Sequence, residues 1–302
     1  MSIAQLLFPD FSLILIGFLL CRHTALKQPV WQSAEGLVYY FLFPVLLFQS
    51  IVRTPLDVRA ASGLMLAGLI TGTIGIALSY TLPHLPGIGR WIDRRDHAAS
   101  AQVAFRFNSF IGLAIAERLL GAQGLQLIAV LIGVCVPLFN VGAVWPMARH
   151  AQRSFLGELV RNPLILATAS GLAFNLLGLK IPEWLVPTVT RIGAASLALG
   201  LMTTGAALQF SALKDGKALA VGVLTIRHAL APLVAWLVSH LMRLGAAEST
   251  ILMAFSALPT ASSCYVLAAR MGYNGAYVAA LVTLSTLLGM ASLAAVLAFI
   301  QR

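Results

Sequence analysis

The chain has 302 residues, of which 59% are hydrophobic and 10% charged, whereas a soluble domain carries about 25% charged residues. Twenty Lys and Arg against ten Asp and Glu leave a net charge of +10, but the basic residues stand singly or in pairs between apolar runs, without the contiguous face that a phosphate backbone needs. Soluble globular, nucleic-acid-binding and disordered chains are thereby excluded, and so is a secreted disulfide scaffold, because Cys21, Cys135 and Cys264 are odd in number and lie in or beside apolar runs.

A helix needs about 20 residues to cross a hydrocarbon core of about 30 Å. Ten apolar runs approach or exceed that length: 3–21, 37–52, 62–82, 98–116, 125–147, 162–179, 184–208, 218–242, 249–268 and 276–300. No ten-residue alternation of a membrane barrel appears, so the sequence predicts an all-α membrane protein of ten transmembrane helices. The first run reads as a spanning helix and not a leader, since residues 1–10 carry no Lys or Arg and no small-residue cleavage pattern follows. Arg22, Lys27, Arg90, Arg94, Arg95, Arg149, Arg153, Arg161, Lys214, Lys217 and Arg270 collect in the odd-numbered connections. The positive-inside rule then places both termini outside the membrane. Phe8, Trp31, Trp91, Trp145 and Trp184 fit interfacial anchors, and Asp93-Arg94 reads as a pair of solvated charges in a connection.

The fourth run is interrupted by Arg106-Phe107-Asn108-Ser109-Phe110, and the ninth by a polar stretch around Pro259 that includes Thr260, Ser262 and Ser263. Pro259 cannot donate to the carbonyl of Phe255, so the ninth helix should kink or break there. Gly121-Ala122-Gln123-Gly124 closes the fourth run and Gly272-Tyr273-Asn274-Gly275 the ninth, at an offset of 151 residues that also superposes Pro259 on Asn108. Five runs in each half, 1–151 and 152–302, force the second half to enter the membrane upside down, the inverted-repeat plan of secondary transporters. Broken helices four and nine would then cross, with the positive ends of their half-helices aimed at a shared point that favours an anion. The alternative for either run alone is an ordinary kink with Asn108 and Ser109 as interhelical glue.

No Asp or Glu stands in the middle of a run, so a carboxylate relay for protons or sodium has no seat. Arg106 and Arg227 do stand there, and a permanently charged guanidinium suits a carboxylate. Arg106 could instead snorkel along Phe105 and Phe107 or pair with helix carbonyls, and Arg227 could be a structural clamp beside Pro232. His228 reads as a packed imidazole. No phosphate loop, dinucleotide fingerprint, nucleophile elbow or metal spacing is visible, so neither enzyme activity nor a cofactor is expected.

The strings RFNSFIGLAIAERLLG (106–121) and ALPTASSCYVLAARMGYNG (257–275), with the five-plus-five runs, resemble the auxin efflux carrier family over essentially the whole chain. Ala114 and Ala198 stand where many members have proline, and the long hydrophilic middle loop of the plant carriers is missing, as in a compact bacterial-type member. The resemblance implies a scaffold of helices one, two, six and seven that can form a homodimer, and a moving core of helices three to five and eight to ten. It implies secondary transport of a small organic anion such as auxin, malate or malonate. Asn108, Ser109, Pro259, Thr260 and Ser262 fall by position at the crossover. Added to the residue reading, this gives Arg106, Asn108, Ser109, Pro259, Thr260, Ser262, Ser263 and Arg227 as the expected substrate site, with the bilayer as surroundings and no nucleic-acid partner. Two other functions stay open: a sodium- or proton-coupled symporter of the bile-acid type, and a membrane sensor that binds without transporting.

Overall fold

The computed structural model describes residues 3–52, 58–148, 163–208, 216–261 and 263–300, and among them every regular element is helical. Helix α1 spans Ile3–His23. Helix α2 (Gln28–Leu37) carries Pro29 in its first turn, where a missing N–H costs nothing, and runs through a π-helical turn (Val38–Leu42) into α3 (Phe43–Val52). The short second run thus gains its length from a more polar first part. Trp31 lies in that part and is not an interfacial anchor: it is 5% exposed, with its indole N–H donating to the carbonyl of Leu26 at 2.9 Å.

Helix α4 covers Val58–Thr81, and α5 covers Arg94–Ser100. Asp93 is the cap of α5, its carboxylate accepting from the backbone N–H groups of Arg95 and Asp96 at 2.9 Å each. Asp93 and Arg94 are both exposed, as expected of solvated charges. Helix α6 (Ser109–Ala148) is bent at Gly121, whose φ of 57° a residue with a Cβ rarely adopts. Then follow α7 (Pro163–Leu176), α8 (Val186–Ala206) and α9 (Lys217–Thr225). A π-helical turn (Ile226–Leu230) joins α9 to α10 (Ala231–Leu241). The chain closes with α11 (Ala246–Ser256), α12 (Ser263–Arg270) and α13 (Gly275–Ile300).

Both π turns end two residues before a proline, Pro44 or Pro232. Neither proline can donate to the carbonyl four residues back, Tyr40 in one case and His228 in the other, so the helix widens where the ordinary ladder is broken.

Five stretches among the described residues are long and apolar enough to cross a membrane: Ser62–His84, Arg94–Met147, Val186–Ala206, Lys217–Leu241 and Gly275–Ile300. Large apolar side chains face outward, with Leu177 72%, Trp184 78% and Leu241 70% exposed. That surface suits lipid and not water.

The chain divides into two compact units, each assembled from separated segments. The first comprises Met1–Met65, Phe110–Gly133 and Leu156–Ala207. Within it α1 and α8 meet backbone to backbone, because a Cβ at Gly17 would strike the carbonyl of Met202 and one at Gly205 that of Ile14. Small residues of this kind let membrane helices approach closely. Gly205→Val should force the pair apart at a cost of about 3 kcal/mol, read as a lower midpoint of thermal unfolding in detergent. Gly36→Ala is the control, since a Cβ there meets nothing within 4 Å; equal midpoints would show that the α1–α8 contact is not needed.

The second unit comprises Leu66–Ser109, Val134–Phe155 and Leu208–Arg302. Its core is built from residues such as Leu82, Val103, Leu219, Val223, Tyr277, Val278 and Leu281. Tyr277 Oη donates to the carbonyl of Gly216 at 2.7 Å, tying the start of α13 to the start of α9.

Candidate functional site

Two helix interruptions lie in the second unit. The first follows α5 and a 3-10 turn (Ala101–Ala104), leaves residues 105–108 non-helical, and ends where α6 begins at Ser109. Asn108 precedes that first turn, a position where Asn is favoured. The second follows α11 and leaves residues 257–261 non-helical; α12 then begins at Ser263. Ser262 lies outside the described residues.

The interruptions are bonded to each other: the N–H of Asn108 donates to the carbonyl of Pro259 at 2.8 Å. These are the two residues that the 151-residue offset makes equivalent. Pro259 has no N–H with which to return the bond, so the contact is one-way. Gly289 of α13 makes room for it, since a Cβ at Gly289 would sit 2.8 Å from that of Pro259.

Arg106 is half-buried. Its Nη1 donates to Gln102 Oε1 at 2.8 Å and its Nη2 to Ser263 Oγ at 3.1 Å. Its aromatic neighbours pack on other rings, Phe105 on Phe139 and Phe107 on Phe139 and Phe255, with ring centroids 5.7, 5.9 and 4.4 Å apart. Gln102 is fully buried and fully used, its Nε2 donating to the carbonyls of Ala99 at 2.9 Å and Cys264 at 3.2 Å. The amide thereby holds the guanidinium at the first turn of α12. Two half-helix N-termini, those of α6 and α12, follow the interruptions, and each carries partial positive charge.

Thr260 is also fully buried. Its hydroxyl donates to the carbonyl of Val103 at 2.6 Å, across 157 residues of sequence, and its N–H donates to Ser285 Oγ at 2.9 Å. Because Thr260 gives its proton to a carbonyl, Ser285 must donate to Thr260 Oγ1, which lies 3.0 Å away. Ser285 then accepts a hydrogen bond from His228 Nε2 at 2.9 Å, and His228 Nδ1 lies 2.9 Å from Ser292 Oγ. Proton counting thus places a hydrogen on His228 Nε2. Ser292 also approaches the carbonyl of Ala257 at 3.1 Å.

Arg227 is 3% exposed, and its Nε, Nη2 and Nη1 point at the carbonyls of Leu258, Phe255 and Phe105, at 2.6, 3.2 and 3.4 Å. This is the geometry of the clamp alternative. Of the expected site residues, Arg106, Asn108, Pro259, Thr260, Ser263 and Arg227 are joined in this network, with Ser109 half-buried beside them. Thr260 and Arg227 turn inward as braces. Arg106, Ser109 and Ser263 are only partly buried and can meet a ligand. The arrangement offers fixed positive charge, hydroxyls and helix N-termini, with no carboxylate among the described hydrogen-bond partners of Arg106 and Arg227.

Gln102, Ser285, Gly289 and Ser292 are participants that sequence reading missed. The signals were present: Gln102 stands one helical turn before Arg106, and Ser285, Gly289 and Ser292 form an i, i+4, i+7 stripe on an otherwise apolar run.

The known proteins to which this chain is similar are membrane transport proteins. Residues 140–297 match the family described as "Membrane transport protein". The chain is 25% identical over 288 residues, 93% of each chain, to an "Uncharacterized transporter" of Methanothermobacter thermautotrophicus. It is 23% identical over 322 residues, 99% of this chain and 96% of the relative, to a "Putative malonate transporter" of Rhizobium meliloti.

Proposed function

This chain belongs to the membrane transport protein family, and from that premise we propose that it carries a small organic anion by alternating access. It is a multi-pass membrane transporter and not an enzyme. In this reading ten spans form two inverted halves, 1–151 and 152–302, with the interrupted fourth and ninth spans crossing at the anion site. The bond between the offset-equivalent residues Asn108 and Pro259 supports that symmetry. So do the positive φ angles of the equivalent Gly121, 57°, and Gly272, 80°.

The observation that carries the anion is the placement of Arg106, whose guanidinium reaches Ser263 at the start of α12. The anion takes charge from Arg106, polar contacts from Ser109, Ser262 and Ser263, and the partial charge of the two helix N-termini, with Asn108 bonded to Pro259 behind them. Pro259, Thr260 and Arg227 shape the site from behind. The first compact unit contains the first, second, sixth and seventh apolar runs almost entirely, which supports its role as the scaffold and dimerising part, while the unit holding both interruptions moves. The protein resides in a bacterial inner membrane with both termini outside.

Counterflow of labelled malonate in proteoliposomes tests the reading, malonate being chosen because a relative bears its name. Saturable, time-dependent uptake driven by internal malonate, and competed by other small carboxylates, is expected. Binding without flux would instead identify a sensor.

A further inference from the structure

Interrupted membrane helices leave carbonyl oxygens at the C-terminal ends of their first halves, and carriers built this way use such oxygens to hold a coupling cation. Here oxygens of the same kind surround a side chain. The carbonyl of Phe105 caps the half-helix before the first interruption, that of Phe255 stands in the last turn of the half-helix before the second, and that of Leu258 lies just beyond it. All three face the guanidinium of Arg227, at 3.4, 3.2 and 2.6 Å. The carbonyl of Phe255 is the one that Pro259, lacking an N–H, cannot engage.

Arg227 is buried with no carboxylate partner among the described residues. An unpaired buried charge is costly, so the negative ends of two half-helices, with their carbonyls, serve as its counter-charge. The π turn Ile226–Leu230 carries the side chain and links α9 to α10.

Building on the carrier reading above, we infer that Arg227 is a resident cation: its guanidinium takes the carbonyl cluster that a coupling metal ion would otherwise fill, and it fastens both interruptions to the helix α9–α10. A guanidinium keeps its charge at all working pH values and, being tethered, never leaves. Sodium release and rebinding therefore cannot drive the cycle at this position. The two interruptions and α9–α10 move as one piece whether or not an anion is bound.

The full-length chain in detergent and in proteoliposomes provides the test. Wild type should unfold at the same temperature in sodium and in choline salts, and malonate counterflow should be equal in the two. Arg227→Ala should lower the unfolding midpoint by about 10 °C and regain part of the loss on addition of guanidinium well below denaturing concentrations, a rescue that wild type does not show. Arg227→Lys, which keeps the charge but not the fork, should fall between wild type and Arg227→Gln, and this pair decides the matter if the alanine variant does not fold.

A wild-type midpoint or flux that rises in sodium over choline overturns the inference. So does an Arg227→Gln protein as stable as wild type, because the charge would then be unnecessary. Absence of malonate flux in every salt strikes the carrier reading or its substrate instead, and the stability measurements still decide the role of Arg227.

Discussion

Arg106→Ala is expected to weaken malonate binding at least about a hundredfold while the chain still folds, since removing one partner of a desolvated charge pair costs about 2–5 kcal/mol. Folding should survive because Arg106 is only half-buried and its partners, Gln102 Oε1 and Ser263 Oγ, lose one bond each without losing their place. Gln102 remains anchored through its amide nitrogen to Ala99 and Cys264. Arg106→Lys should recover part of the affinity, because it restores the charge but not the planar fork. Ligand-induced shifts in thermal unfolding measure all three proteins. An alanine variant with unchanged affinity for malonate and every other anion that wild type binds would remove Arg106 from the site.

Thr260→Val should produce the largest loss of order at the junction itself. The substitution keeps the shape and deletes one hydroxyl, leaving the carbonyl of Val103 without its 2.6 Å donor and Ser285 without its acceptor. Burial turns each loss into an unmet polar group, together about 2–4 kcal/mol. A fall in the unfolding midpoint and a larger proportional fall in malonate flux should follow, because Thr260 braces one interruption against the turn that precedes the other. Thr260→Ser keeps both bonds and should remain close to wild type. Equal behaviour of the valine and serine variants would show that the hydroxyl is not what holds the junction.

Much of the framework was legible from composition and local spacing. The interruption at Pro259 follows from a bond that proline cannot make four residues back, and the polar string at residues 106–109 marked the first interruption in an otherwise apolar run. Other local features were overlooked although readable. The prolines at 44 and 232 that accompany the π turns are one case, and Asp93 standing where a helix cap belongs is another. Trp31 was misplaced because an aromatic near a run boundary looks the same whether it faces lipid or a neighbouring carbonyl. Only the packing around Leu26 distinguishes the two.

Taken by itself, the order of residues determined that the chain lives in a bilayer as helices and that two of them are interrupted at related positions. These are consequences of hydropathy and of bonds spanning four residues. The assignment of each buried polar group was decided by tertiary structure alone: Arg227 to carbonyls 28, 31 and 122 residues away, Thr260 to one 157 away, Arg106 to Gln102 and Ser263. A guanidinium or hydroxyl in a membrane must satisfy its hydrogen bonds with whatever lies beside it, and the neighbour is chosen by helix packing, which no short-range pattern encodes.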